Sequence, residues 1–114
     1  MEVSFFNQLA EKLRPIFGKV AIILHGSRIR GSYYPASDLD VLIITERCLG
    51  RRGVEVPYSF GEELNGIKLD FQVVCYEHKD YWIVRNVLSS LNVIVVDDFN
   101  EFKNKASEKS PAGD

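Results

Sequence analysis

The chain has 114 residues, 46% of them hydrophobic and 26% charged, with a formal net charge of -2 and a pI near 5.7. That length suits one soluble globular domain with a single modest core and leaves no room for a second. The mild negative charge argues against a surface built for wholesale duplex binding. The longest apolar runs, such as Val20 to Leu24 and Val93 to Val96, are too short to cross a bilayer, so no membrane association is expected. No basic segment leads into an apolar stretch at the start, and the expected location is the cytoplasm. Cys48 and Cys75 match neither a zinc spacing nor a secreted disulfide framework and are expected as reduced, structural thiols.

Residues 4–17 place Phe5, Phe6, Leu9, Leu13, Ile16 and Phe17 at helical spacing, with Ser4 as N-cap, Pro15 as a bend or early end and Gly18 as stop. KVAIILH (19–25) reads as a strand covered on both faces. A polar, small-residue stretch runs from Gly26 to Ser37, and SDLDVLIIT (37–45) resumes the strand pattern. From Glu46 to Gly66 four glycines and Pro57 predict an irregular excursion, with a short edge strand at 54–56 and one or two helical turns begun by Ser59 and Glu62. IKLDFQVVCY (67–76) alternates, putting Ile67, Leu69, Phe71, Val73 and Cys75 on one face and Lys68, Asp70, Gln72, Val74 and Tyr76 on the other.

Helical spacing returns over 77–91 through Ile83, Val84, Val87, Leu88 and Leu91, and NVIVVDD (92–98) is a last strand. A domain over residues 1–98 and a polar, frayed tail over 99–114 are expected. The element order gives an α/β fold, a small mixed β-sheet with flanking helices.

The chemistry concentrates in HGSRIRGSYYPASDLDVLII (25–44). On a strand, Asp38 and Asp40 share one face, roughly 6.5 to 7 Å apart. Two like charges there raise each other's cost of ionisation, and a divalent cation relieves it. Oxygen-only ligands point to magnesium, or manganese in its place. Asp70 interrupts an apolar strand, where a charge is costly unless paired or metal-bound, and it would converge with the other two if its strand lay beside theirs. Gly26 and Ser27 end the first strand and expose backbone N–H groups and a hydroxyl suited to phosphate. Arg28, Arg30, Arg47, Arg51 and Arg52 cluster near the acids, as a metal-phosphate site requires, with a solvated loop of scattered charge as the equal alternative for the last three.

Gly26, Ser27, Arg28 and Gly31, followed by Ser37, Asp38 and Asp40, resemble the minimal nucleotidyltransferases of the DNA polymerase beta superfamily, and Asp70 in KLDFQVV matches that family's third carboxylate. The resemblance implies a polymerase beta-like fold and a magnesium-dependent enzyme with two metal ions. Asp38 and Asp40 would hold the metal against a nucleoside triphosphate, expected to be ATP. Asp70 would help bind the second ion and take a proton from the attacking hydroxyl, while Gly26, Ser27 and Arg28 bind nucleotide. His25 stands where the family often has a large apolar residue and is read as packing at a strand end. The resemblance further implies a HEPN-domain partner in a toxin and antitoxin pair. No R-x4-6-H nuclease signature surrounds His25 or His78, so this chain would be the antitoxin. Templated synthesis on nucleic acid is not expected, and an oligomer is compatible with the sequence. The alternative is a non-catalytic nucleotide-binding or structural partner subunit. P-loop, dinucleotide-fold and EF-hand patterns are absent from the sequence.

Overall fold

Helix α1 (Val3–Phe17) turns Phe6, Leu9, Ala10, Leu13 and Phe17 onto one buried stripe, the helical spacing read from the sequence. The structure is a computed structural model described over residues 3–31, 38–48, 63–64 and 66–103. Ser4 lies inside α1 and not at its cap. Pro15 sits in the last turn without ending the helix. Gly18, at φ +78°, closes it by donating its N–H to the Arg14 carbonyl at 2.9 Å.

The stripe packs on a mixed sheet of β1 (Val20–His25), β2 (Leu39–Thr45), β3 (Glu63–Leu64), β4 (Ile67–Cys75) and β5 (Val93–Asp97), ordered β3-β4-β2-β1-β5. β1 is antiparallel to β2 and β5, β3 is antiparallel to β4, and β2 and β4 run parallel. A parallel pair needs a long crossover, and the excursion after Thr45 supplies it. The two central strands, β1 and β2, are buried nearly throughout, as continuous apolar runs require.

Alternation divides the sheet between two cores. Val20, Ile22, Leu24, Val41, Ile43, Leu69 and Phe71 face α1. Ala21, Ile23, Leu42 and Ile44 face helix α3 (Trp82–Ser89), whose Val84, Val87 and Leu88 cover them. A four-residue helix α2 (Ser27–Arg30) follows β1, and a 3-10 turn (Tyr76–His78) joins β4 to α3. The helix expected over 77–91 is therefore two pieces, and Leu91, outside α3, is 61% exposed and not a core residue.

Beyond the expected boundary at residue 98, Phe102 is fully buried. Phe99 stacks on Tyr76 at 4.4 Å between ring centroids, so the chain through Lys103 packs with the α3 face. Cys48 and Cys75, expected as free thiols, are joined in a disulfide with Cα atoms 5.2 Å apart. Parallel pairing sets Thr45 opposite Cys75 and so brings the two cysteines to one end of the sheet, although 27 residues separate them. The expected strand at 54–56, the turns begun by Ser59 and Glu62, and residues Ser37, Arg51 and Arg52 lie outside the described residues. Among the described residues no helix is long and apolar enough to cross a membrane.

Candidate active site

Strand register assembles the site. His25 on β1 is the cross-strand partner of Asp40 on β2, and Asp40 is the partner of Asp70 on β4. Neighbouring strands lie about 4.8 Å apart, so the three side chains form one row across the sheet. By alternation they share the α3 face with Ile23, Leu42 and Gln72, just past the end that α3 covers. Asp38 stands ahead of β2, half-buried. Asp40 is half-buried and Asp70 exposed. The expected meeting of three carboxylates takes the form of an adjoining pair, Asp40 and Asp70, with Asp38 farther out. The oxygens of all three do not lie within 4.8 Å of one another.

The electrostatics follow from this packing. Burial pushes the Asp40 carboxyl above its ordinary value. His25 opposes that shift, while Asp70 and Asp38 add to it by repulsion and Asp70 also by hydrogen bonding the protonated form. Burial likewise lowers the His25 pKa. Asp40, Gln72 and Asp70 favour the imidazolium, and Arg30 opposes it. Gln72 thus lies within reach of the imidazole, yet buried His25 Nε2 and Gln72 Oε1 each lack a hydrogen-bond partner of normal geometry.

Gly26 fixes the other wall. Its φ of +91° belongs to glycine, and a Cβ there would fall 2.9 Å from Asp40 Cγ and closer still to its Oδ2. The chain can therefore turn off β1 directly against the carboxylate. The Gly26 carbonyl then accepts the N–H groups of Ile29 and Arg30 at 3.1 Å, starting α2. α2 ends at Gly31, in left-handed conformation at φ +83°. Ser27 and Arg28 are half-buried beside this turn. Arg47 departs from the expected cluster. It lies past the opposite end of β2, where its Nη1 donates to the Ile16 carbonyl at 3.2 Å and ties down the end of α1.

Next to the row, between the sheet and α3, lies a cavity of about 280 Å³ lined by His25, Gly26, Arg30, Gln72, Trp82 and Asn86, among others. It offers an aromatic face, two amides and a guanidinium. Trp82, 60% exposed at the start of α3, and Asn86 one turn on were not singled out from the sequence, because their rotation toward the site depends on how α3 docks. Gln72 carried a signal, being on the polar face two residues after Asp70.

This architecture is similar to that of two solved structures. One chain in the crystal structure of a toxin-antitoxin with AMP-PNP matches with a TM-score of 0.65 at 17% identity, over 95% of this chain and 83% of that one. A Sulfolobus solfataricus protein assigned as a nucleotidyltransferase matches with a TM-score of 0.53 at 20% identity, over 81% of this chain and 77% of that one. The likeness shows a shared fold. Comparison with curated proteins gives no match. The model of the nucleotidyltransferase domain family covers residues 6–111, and the chain belongs to that family.

Proposed function

We propose that the protein is a magnesium-dependent nucleotidyltransferase that moves AMP from ATP onto a hydroxyl acceptor and acts as the antitoxin of a HEPN-type RNase. The observation that carries the reading is the pairing of Asp40 with Asp70 in register, with Gly26 turned against the Asp40 carboxyl. The fold shared with a chain of a toxin-antitoxin with AMP-PNP supports both the nucleotide and the partner.

The donor set fits a hard divalent cation, because it is oxygen-only and because the raised Asp40 pKa marks a charge that bound metal would stabilise. Asp38, Asp40 and Asp70 would hold magnesium, which when bound neutralises charge on the triphosphate and on the departing pyrophosphate. Gly26 leaves room for the phosphates, and the Ser27 hydroxyl and Arg28 bind them. Trp82 and Asn86 give the base a stacking face and an amide. Asp70, the exposed member of the pair, accepts the acceptor's proton as the new bond from oxygen to the α-phosphorus forms and the bond from that phosphorus to the pyrophosphate oxygen breaks.

The reading is tested by ATP calorimetry with and without magnesium, combined with transfer of labelled AMP to a copurifying acceptor. Magnesium should strengthen ATP binding in the wild type but not in an Asp38→Ala, Asp40→Ala variant. Asp70→Asn should keep much of the magnesium-ATP affinity while transfer falls at least ~100-fold. Magnesium-independent affinity, or undiminished labelling by Asp70→Asn, overturns it. A wild type that labels nothing yet silences its partner is a structural antitoxin instead.

A further inference from the structure

At the end of the sheet away from the acid row, Cys48, Cys75 and Glu77 bring two sulfurs and a carboxylate oxygen within 4.8 Å of one another. Glu77 Oε1 lies 3.1 Å from Cys48 Sγ and 3.9 Å from Cys75 Sγ. While the sulfurs are bonded to each other they carry no hydrogen, so the disulfide gives this carboxylate nothing to accept. The carboxylate oxygen therefore lies against both sulfurs with no hydrogen bond from either, in the place a third ligand would take if the two sulfurs were thiolates. His78 adds a nitrogen at the rim, its Nε2 3.6 Å from the same Glu77 oxygen.

The donors sit on anchored backbone. Cys75 ends β4 opposite Thr45, whose hydroxyl donates to the Arg47 carbonyl at 2.9 Å beside Cys48. Glu77 belongs to the 3-10 turn, which is pinned by Tyr76. That ring stacks on Phe99 and meets Phe102 edge-on, and Lys79 lies over it at 4.4 Å. Lys79 also donates its backbone N–H to the Tyr76 carbonyl at 3.0 Å.

We propose that Cys48, Cys75 and Glu77 form a redox-gated zinc site, unrelated to the acid row. An external dithiol delivers two electrons and two protons to the disulfide and becomes oxidised to its own disulfide, leaving two thiols. Zinc then displaces the two thiol protons and binds both thiolates and the Glu77 carboxylate, with water in the fourth position. Two soft sulfurs with one oxygen select zinc over magnesium. Disulfide and metal exclude each other, so the thiol state of the surroundings decides which one joins the ends of β2 and β4.

The full chain, reduced by a phosphine and freed of metal, is titrated with cobalt and then zinc. One cobalt per chain should give thiolate-to-cobalt charge-transfer absorption, and zinc should abolish it by displacement. The oxidised chain should show none. Cobalt held by the aspartates has only oxygen ligands and lacks this absorption, so the result is independent of the proposed transferase activity. Glu77→Gln, which leaves both cysteines in place, should weaken zinc binding at least ~10-fold. No charge-transfer absorption in the reduced wild type, or unchanged zinc affinity in Glu77→Gln, overturns the proposal.

Discussion

Asp40 bears a charge that its surroundings resist. Burial, then the nearby carboxylates, keep its proton on longer than in the unfolded chain, so ionising it works against folding. The sign is opposite to that of a salt-bridged aspartate. The cost is absent below the ordinary carboxylate value of about 3.9 and complete once pH exceeds the raised value in the folded state. Asp40→Asn should therefore raise the metal-free melting temperature at neutral pH. The gain should vanish as pH falls below that ordinary value. A thermal melt series across acidic and neutral buffers checks this, and an unchanged or lowered melting temperature at neutral pH would contradict it. The same substitution removes a proposed metal ligand, so stability and transfer should move in opposite directions.

At the scale of elements, one residue after β5 joins three of them. Asp98 accepts two hydrogen bonds from the Arg14 guanidinium of α1, at 2.8 and 2.9 Å, and one from the buried backbone N–H of Val20 at the start of β1, at 3.0 Å. Burial would raise the Asp98 pKa, but these partners outweigh it and hold the carboxyl below its ordinary value. Its stabilising contribution is therefore full above the ordinary value and is lost as pH falls through the lowered one. The two partners are unequal. Arg14→Ala removes a partly exposed ion pair and should cost about 0 to 1 kcal/mol. Asp98→Ala also strands the Val20 N–H and should cost about 1 to 3 kcal/mol. Urea unfolding of both variants tests the ranking, and equal losses would refute the role given to Val20.

Across the whole molecule, the aromatic cluster of Tyr76, Phe99 and Phe102 attaches the segment after β5 to the α3 face. Phe102→Ala should cost about 3 to 5 kcal/mol, a large part of a small domain's stability, read as a lowered denaturation midpoint. The polar residues around Phe99 and Phe102 concealed this packing from a reading by composition. The faces of the strands were legible, because period-two alternation already assigns Asp40 and Leu42 to one side and Val41 and Ile43 to the other. Lateral placement was not. His25 beside Asp40, Cys48 bonded to Cys75 and Trp82 beside Gln72 all depend on register and docking between elements distant in sequence. Asp38 shows the intermediate case: its motif was plain, but its position ahead of β2 follows from where pairing begins.

The parallel pairing of β2 with β4 also bears on how such a domain can diversify. Each strand enters at the acid end and leaves at the other, so after Cys48 the chain must return about 26 Å, the rise of the eight strand steps from Cys75 back to Ile67, before Ile67 can begin β4. Insertions or deletions in that return path can alter what borders the entrance to β4 while the register between Asp40 and Asp70 stays fixed. New acceptors or partners can then be accommodated by changing one connection, with the paired acids inherited unaltered.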